Sequence, residues 1–152
     1  MEILKGAEIF NNRLKETVHE DTQVGKQSVS LTVAGIEKFT GPGELDFGGS
    51  EFKTGKRETN KPLLRDEEDK YGWWELDGGD YLLELNEILD LTGEQIAFIQ
   101  PHEHLYINGA SVPGLFFTAD DAREKIRIPL RVGQEGLNIK ENARIATLLV
   151  FA

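Results

Sequence analysis

The chain has 152 residues and no cysteine, which excludes a disulfide framework, a thiolate metal site and a cysteine nucleophile. Its 27 acidic residues outnumber 17 Lys and Arg residues, and a formal net charge of −10 argues against a nucleic-acid backbone as partner. No apolar run approaches the roughly 18 residues that a membrane span needs. We expect one domain over residues 1–152, soluble and cytoplasmic, with no membrane partner.

The first part of the chain predicts one short helix followed by strands. Apolar residues between Ile3 and Leu14 partly fit a helical stripe. From Gln27 to Phe39 apolar and polar residues alternate until Gly35 interrupts them, which predicts either a strand pair or one bulged strand. The glycine-rich segment 40–60 then predicts turns with at most short strands.

The second part of the chain reads as short strands separated by turns. Alternation begins again at Tyr81, and it is strict from Lys125 to Val132, with four apolar residues on one face. An apolar run closes the sequence at positions 143–151. Many short strands at a spacing of roughly ten residues predict an all-β sandwich or barrel.

The segment from Ile96 to Gly109 combines an apolar run with three consecutive titratable residues, His102, Glu103 and His104. Because Pro101 breaks the run and Asn-Gly closes the segment, we expect a strand, a corner, a second strand and a turn. The three titratable residues then lie either in a ligand site or on a polar strand edge.

Two histidines at i and i+2 share one face of an extended segment, which is a spacing that two ligands of one metal can have. A third ligand would have to come from His19, Asp120 or Asp121, all distant in sequence. Two ligands do not make a site, and a polar strand edge or a subunit contact is the better explanation of His102 and His104. We therefore predict no metal site.

Two other motifs offer candidate site residues. Trp73 and Trp74 are adjacent, so on a strand they face opposite sides: one in the core, the other toward a loop, a ligand or a neighbouring subunit. Of the two, Trp74 is the candidate for stacking on a base. Asp120 and Asp121 either hold Mg²⁺ and activate water or form a turn or helix cap before residues 122–123.

Several of these segments resemble motifs of the dCTP deaminase and trimeric dUTPase superfamily. The resemblance implies a jelly-roll-like β-sandwich or distorted barrel, assembly as a homotrimer and binding of a pyrimidine deoxynucleotide. The segments that carry it are Gln27–Gly35 (family Pro-Ser-Ser-Val-Asp-Leu-x-Leu-Gly), Gly79–Leu83 (Pro-Gly-Glu-Phe-x-Leu), Ile96–Gly109 (Gly-Arg/Lys-Ser-Ser-Leu-x-Arg-x-Gly), Lys125–Val132 (the strand after Ile-Asp-Pro-Gly) and Glu141–Leu148 (Pro-Gly-x-x-Ile-Gly/Ala-Gln-Leu).

The chain departs from the family where the resemblance implies catalysis. His102, Glu103 and His104 replace the Arg/Lys-Ser-Ser triplet. The general-base Glu of the deaminases falls at Pro129, and the water-activating Asp of the dUTPases falls near Ala119. The family's second Arg falls at about Ile107, and Ser30 replaces an Asp. Losing a general base costs about 10²- to 10⁴-fold in rate.

We therefore expect a catalytically degenerate protein that keeps an oligomeric fold and binds a nucleotide or a protein partner. The alternative is an active dCTP deaminase or dUTP diphosphatase that uses displaced residues. In that alternative Glu103 and Asp120 are the catalytic residues, and no cofactor is needed except Mg²⁺ for nucleoside triphosphates. The candidate ligand-binding residues are His102, His104, Asn108 and Trp74.

Overall fold

The computed structural model describes residues 1–121 and 124–152, which form short helices and many strands. The helical elements are α1 (Gly6–Glu8), a π-helical turn (Ile9–Arg13), α2 (Glu20–Gln23) and α3 (Glu103–Tyr106). The strands are β1 (Leu14–Lys15), β2 (Val29–Phe39), β3 (Arg57–Asn60), β4 (Trp73–Leu76), β5 (Gly79–Leu89), β6 (Ile96–Pro101), β7 (Ala110–Ser111), β8 (Leu115–Thr118), β9 (Lys125–Val132), β10 (Leu137–Lys140) and β11 (Arg144–Phe151). The predicted all-β class is confirmed.

Within the described residues, nine strands form one sheet in the order β7-β9-β5-β2-β11-β6-β8, with β1 added beside β5 and β3 beside β2. Strand β2 changes partner along its length: residues 29–32 pair with β11, and residues 33–38 pair with β5. The change coincides with a register shift between Val33 and Gly35. Of the two sequence-based alternatives for this segment, the bulged strand is the one observed.

The core consists of the inward-facing apolar residues of these strands. Strand β9 buries every second residue, so its predicted alternation is confirmed. The face of β5 that begins with Tyr81 is buried along the whole strand, including one acidic position. A separate two-stranded sheet of β4 and β10 completes the fold.

The predicted second strand of the segment 96–109 is wrong, because residues 103–106 form helix α3. The side chain of His102 accepts a hydrogen bond from the backbone N–H of His104 and so caps the first turn of this helix. At the other end, the Asn108 amide donates to the His104 carbonyl, and Gly109 adopts a φ of 77°. The predicted turn at Asn108–Gly109 is therefore confirmed, although it ends a helix.

The predicted N-terminal helix is also shorter than the pattern from Ile3 to Leu14 suggested. A helical turn at Gly6–Glu8 continues as the π-helical turn, and residues 2–4 instead pair with the last strand through Glu2 and Leu4. In the part of the chain that the structure describes, no helix is long and apolar enough to cross a membrane.

Gly6 offers a test of this packing, because a Cβ there would lie 1.9 Å from the carbonyl oxygen of Gly25. Backbone cannot retreat as a flexible side chain does, so we expect Gly6→Ala to lower the free energy of unfolding by about 3 kcal/mol. Gly48, which has nothing within 4 Å of its Cβ position, is the control, and Gly48→Ala should change it by less than about 0.5 kcal/mol. Urea denaturation of both variants measures the difference; equal stabilities would contradict the described packing.

Candidate functional site

A cleft of about 380 Å³ lies where the start of β11, helix α3, the loop before β2 and the β4–β10 sheet meet. It adjoins the point where the pairing of β11 with β2 is irregular, between Arg144 and Ala146. Its lining consists of Val18, His19, Thr22, Gln23, Thr32, Trp73, His104, Leu105, Asn108, Leu137, Asn138, Ile139, Lys140, Asn142, Ala143, Arg144 and Ile145.

The charge of this lining is opposite to that of the whole chain. Four basic side chains line the cleft, namely His19, His104, Lys140 and Arg144, and none of its described lining residues is acidic. A surface depression of similar volume, beside Glu75, Asp77 and Glu135, is acidic instead. On a chain with a formal charge of −10, the cleft is a local site suited to an anion.

The cleft also contains side-chain amides, which both donate and accept hydrogen bonds. Asn108, Asn138 and Asn142 contribute these amides, whereas the amide of Gln23 is bonded within the protein. Between them lie apolar residues from α3, β10 and β11. Amides on an apolar surface fix the orientation of a small heterocycle, as in most small-molecule sites.

Directly behind the cleft, Glu87 is completely buried on β5. Its carboxylate accepts hydrogen bonds from the backbone N–H of Thr32 at 2.8 Å, from the Thr32 hydroxyl at 2.6 Å and from the Gln23 amide at 3.1 Å. Burial raises the pKa of this carboxyl, and the hydrogen bonds from Thr32 and Gln23 partly offset that rise. Side-chain hydrogen bonds of Glu87 therefore connect β5 to β2 beyond Leu85 and Val33, where the backbone pairing of the two strands ends.

Gln23 extends this connection to the rim of the cleft. Its amide nitrogen donates to Glu87 and to the Ser30 carbonyl at 2.8 Å, while its side-chain oxygen accepts from the backbone N–H groups of Val18 and His19, both at 2.8 Å. All hydrogen-bonding atoms of the buried amide are engaged. The loop that carries His19 is thus held at the cleft by a side chain bonded to Glu87.

A second chain of hydrogen bonds fixes the opposite wall. The Asn86 amide donates to the Thr32 hydroxyl at 2.9 Å and to the Asn142 side-chain oxygen at 2.8 Å. Asn142 has a φ of 66°, a left-handed conformation that Asn tolerates better than most residues. This turn directs the chain into β11 and presents Lys140 and Arg144 on the cleft.

The two tryptophans face opposite sides, as predicted. However, Trp74, which was the candidate for stacking on a base, lies in the core, and Trp73 is the one that lines the cleft. Trp74 is 2% exposed, and its indole N–H donates to the Asn60 carbonyl at 3.0 Å. Trp73 lines the cleft, with the Arg65 guanidinium 3.6 Å from its ring centroid and the Lys140 ammonium 5.8 Å away. The assignment of ligand contact to Trp74 is corrected, because its ring belongs to the core.

The three titratable residues after β6 have different surroundings. His104 lines the cleft, and so does Asn108 one turn later. His102 does not line it, and its Nδ1 atom is engaged as the helix cap. Burial, together with the charges of His104 and Arg144, lowers the pKa of His102. Glu103 is exposed to solvent outside the cleft.

Asp120 lies far from these residues within one chain. Strand β8 pairs with β6 so that Thr118 is opposite Ile96, whereas His102 follows the other end of β6. The six residues of β6 separate the two groups by about 20 Å. Asp121 accepts a hydrogen bond from the backbone N–H of Thr118, as a turn residue does. The turn or helix cap was predicted to lie before residues 122–123, which are outside the described residues.

Metal coordination by this chain finds no support at the histidines. The rings of His102 and His104 are 4.6 Å apart in an edge-to-face arrangement. Over residues 1–121 and 124–152, no three or more His, Asp or Glu side chains are grouped so as to hold a metal ion.

Glu87, Gln23 and Thr32 were missed by the sequence interpretation. The signal for Glu87 was present, because the alternation from Tyr81 through Leu85 places position 87 on the buried face. Its partners could not be found in the same way. Gln23 and Thr32 are 64 and 55 residues from Glu87, and only the fold brings them together.

The chain was compared with known proteins. No protein-family model matches it. It is 30% identical over 138 residues to a protein of Methanosarcina mazei named probable deoxyuridine 5'-triphosphate nucleotidohydrolase, covering 91% of this chain and 77% of that protein. A protein of the same name from Methanococcoides burtonii is 29% identical over 139 residues, with 91% and 78% covered.

A solved structure has the same fold. The 2'-deoxycytidine 5'-triphosphate deaminase of Agrobacterium tumefaciens aligns with a TM-score of 0.66 at 15% identity, over 97% of this chain and 47% of the deaminase chain. This chain thus spans about half the length of that deaminase chain, and the likeness shows the fold alone. The sequence relatives confirm the resemblance: the chain belongs to the dUTP nucleotidohydrolase family, as a divergent member.

The buried carboxyl of Glu87 predicts a pH dependence of stability. Because its pKa is raised in the folded protein, the native state binds more protons than the unfolded state above about pH 4.5. The free energy of unfolding should fall as the pH rises from there until the raised pKa is passed, with a slope of at most about 1.4 kcal/mol per pH unit. In Glu87→Gln this part of the slope should vanish, whereas Glu84→Gln on the same strand keeps Glu87 and should keep the slope. Urea denaturation between about pH 4.5 and 8 measures the slope for the unchanged protein and the two variants. Identical slopes in all three would contradict the assignment of the pH dependence to Glu87.

Proposed function

We propose that this chain binds a pyrimidine deoxynucleoside triphosphate in the cleft and does not hydrolyse it. The observation that carries the proposal is the composition of the lining: four basic side chains, the amides of Asn108, Asn138 and Asn142 and the indole of Trp73, with no acid among the described lining residues. An anionic ligand with an aromatic base matches each of these groups. The family relationship supports the choice of a deoxynucleotide.

In this proposal the phosphates contact the basic side chains at the start of β11. Lys140 and Arg144 come from neighbouring elements on the same wall. Charge-assisted hydrogen bonds from such groups to phosphate oxygens are roughly twice as strong as neutral ones. The base stacks on Trp73, and the amides of Asn108 and Asn138 bind its edge.

The proposed lack of hydrolysis follows from where the carboxylates lie. A general base must be within hydrogen-bond reach of the attacking water. Glu87 is fully buried and accepts three hydrogen bonds from protein groups, so it has no water to activate. Glu103 is exposed outside the cleft, and Asp120 lies beyond the far end of β6.

The lining does not fit a Mg²⁺ ion held by this chain, because Mg²⁺ is bound by carboxylates and its described residues provide none. Any Mg²⁺ in the bound state therefore arrives on the triphosphate. We also propose, on the family relationship, that the chain acts in the cytoplasm as a homotrimer.

The same relatives favour a second candidate, which is an active dUTP hydrolase. In that case the chemistry depends on displaced residues, and His104 is the one of the expected set that lines the cleft and can accept a proton. The two candidates make opposite predictions for product formation and the same prediction for binding.

The binding site can be tested by charge removal. We expect Lys140→Ala and Arg144→Ala each to weaken dUTP binding about tenfold or more, because each removes a charge-assisted contact to phosphate. Arg127→Ala is the matched control, since Arg127 is on the exposed face of β9 outside the cleft and should leave the Kd unchanged. Titration calorimetry with dUTP and dCTP measures all four proteins. If the cleft variants bind as tightly as the control, the proposed site is wrong.

The two tryptophans provide a spectroscopic test, because the chain has no others. Nucleotide stacking on Trp73 should quench its fluorescence, while Trp74 stays in the core. We expect the quenching by dUTP to disappear in Trp73→Phe and to persist in Trp74→Phe. The reverse result would place the base elsewhere.

A further inference from the structure

Outside the cleft, the most conspicuous unassigned feature is a two-limbed arm, residues 40–56, between β2 and β3. Its limbs are joined by a hydrogen bond from Thr40 N–H to the Lys56 carbonyl and by a reciprocal pair between Glu44 and Lys53. They approach so closely that a Cβ on Gly55 would lie 2.8 Å from the Gly41 oxygen. Glycine is therefore required for this close approach.

The tip of the arm is ordered by its own side chains. The Asp46 carboxylate accepts hydrogen bonds from the backbone N–H groups of Gly49 and Glu51, at 3.0 and 2.8 Å. The tip nevertheless exposes large apolar residues: Phe47 is fully exposed, Leu45 is 88% exposed and Phe52 is 53% exposed. An ordered segment that displays three apolar side chains is typical of an interaction site.

The charge of the tip is as distinctive as its hydrophobicity. Residues 44–52 contain three acids, Glu44, Asp46 and Glu51, and no Lys or Arg, and the ammonium of Lys53, the next residue, lies 3.9 Å from the Glu44 carboxylate. An acidic tip with two phenylalanines is complementary to a groove that is basic, apolar and aromatic. The cleft described above has that composition, with four basic side chains, the indole of Trp73 and the apolar residues Leu105, Leu137 and Ile139 among its lining.

The arm does not contribute to the cleft of its own chain. None of residues 40–56, all of which are described, belongs to the cleft lining. The arm begins after Phe39, seven residues along β2 from Thr32, which is about 23 Å at the rise of a strand. A contact between arm and cleft would therefore have to join two chains.

We propose that the arm tip of one copy docks in the cleft of a second copy and competes there with the nucleotide. Phe47 and Leu45 cover the apolar wall, and Glu51 faces the basic side chains. The contact is heterologous, joining different surfaces of the two copies, and such contacts close into rings when the rotation allows. The competition rests on the proposed nucleotide binding, whereas the docking itself does not.

Absence of cysteine from the chain makes the docking directly testable. Phe47→Cys at the arm tip and Asn138→Cys at the cleft rim are made on separate copies with tags of different size, mixed and mildly oxidised. Docking predicts a mixed disulfide, which forms only when the two Cα atoms come within about 7 Å. Phe116→Cys, an exposed aromatic position on β8, replaces Phe47→Cys in the control.

The disulfide between positions 47 and 138 should form well above the control, and saturating dUTP should suppress it. Formation at the control rate would overturn the docking, and formation that dUTP leaves unchanged would overturn the competition. Both results are read on the folded protein with all 152 residues. Neither depends on any enzymatic activity.

A binding measurement separates this inference from the proposed function. If the arm occupies about 90% of the clefts, removing it by Leu45→Ser with Phe47→Ser should tighten dUTP binding about tenfold. Phe116→Ser is the matched control and should leave the Kd unchanged. Unchanged affinity in the arm variant overturns the competition while the proposed function stands. No binding to any of the proteins overturns the proposed function, and the disulfide then decides the docking alone.

Discussion

The arrangement of the cleft depends on one buried carboxylate, that of Glu87. A carboxylate loses much hydration on burial, and here three hydrogen bonds from Thr32 and Gln23 replace it. Two of those bonds hold β2 beside β5, and the third holds the loop that carries His19. If Glu87 loses the backbone N–H of Thr32, one of its buried oxygen atoms is left unsatisfied, which costs about 1–3 kcal/mol. The walls of the cleft are therefore connected through Glu87.

This construction separates the acid that orders the cleft from the cations that line it. The carboxylate of Glu87 lies behind the wall and accepts hydrogen bonds from Thr32 and Gln23. Lys140 at the end of β10 and Arg144 at the start of β11 line the opening. The cleft is thus basic, with no carboxylate among its described lining residues, and the proposed binding without hydrolysis requires that arrangement.

The strands were largely predictable from the sequence, and the site only in part. The alternation of apolar and polar residues predicted β9, because successive residues of this strand face the core and the solvent in turn. The sequence pattern wrongly predicted a strand at residues 103–106, because the apolar residues there suit a strand. The structure has a helix at this position, and the capping contact of His102 favours it. His104 and Asn108 were identified from sequence and do line the cleft. Trp73 and the Glu87 cluster were not identified, because their contacts join residues remote in sequence.

The most direct test of the central claim is to incubate the protein with dUTP and Mg²⁺, isolate the protein by rapid gel filtration and identify the nucleotide that elutes with it. Binding without hydrolysis predicts intact dUTP in the protein fraction and no shorter nucleotide in any fraction. Recovery of dUMP and pyrophosphate, at a level that a matched incubation without protein does not give, would contradict the account and establish a working hydrolase. Protein that elutes without nucleotide would contradict the binding claim itself.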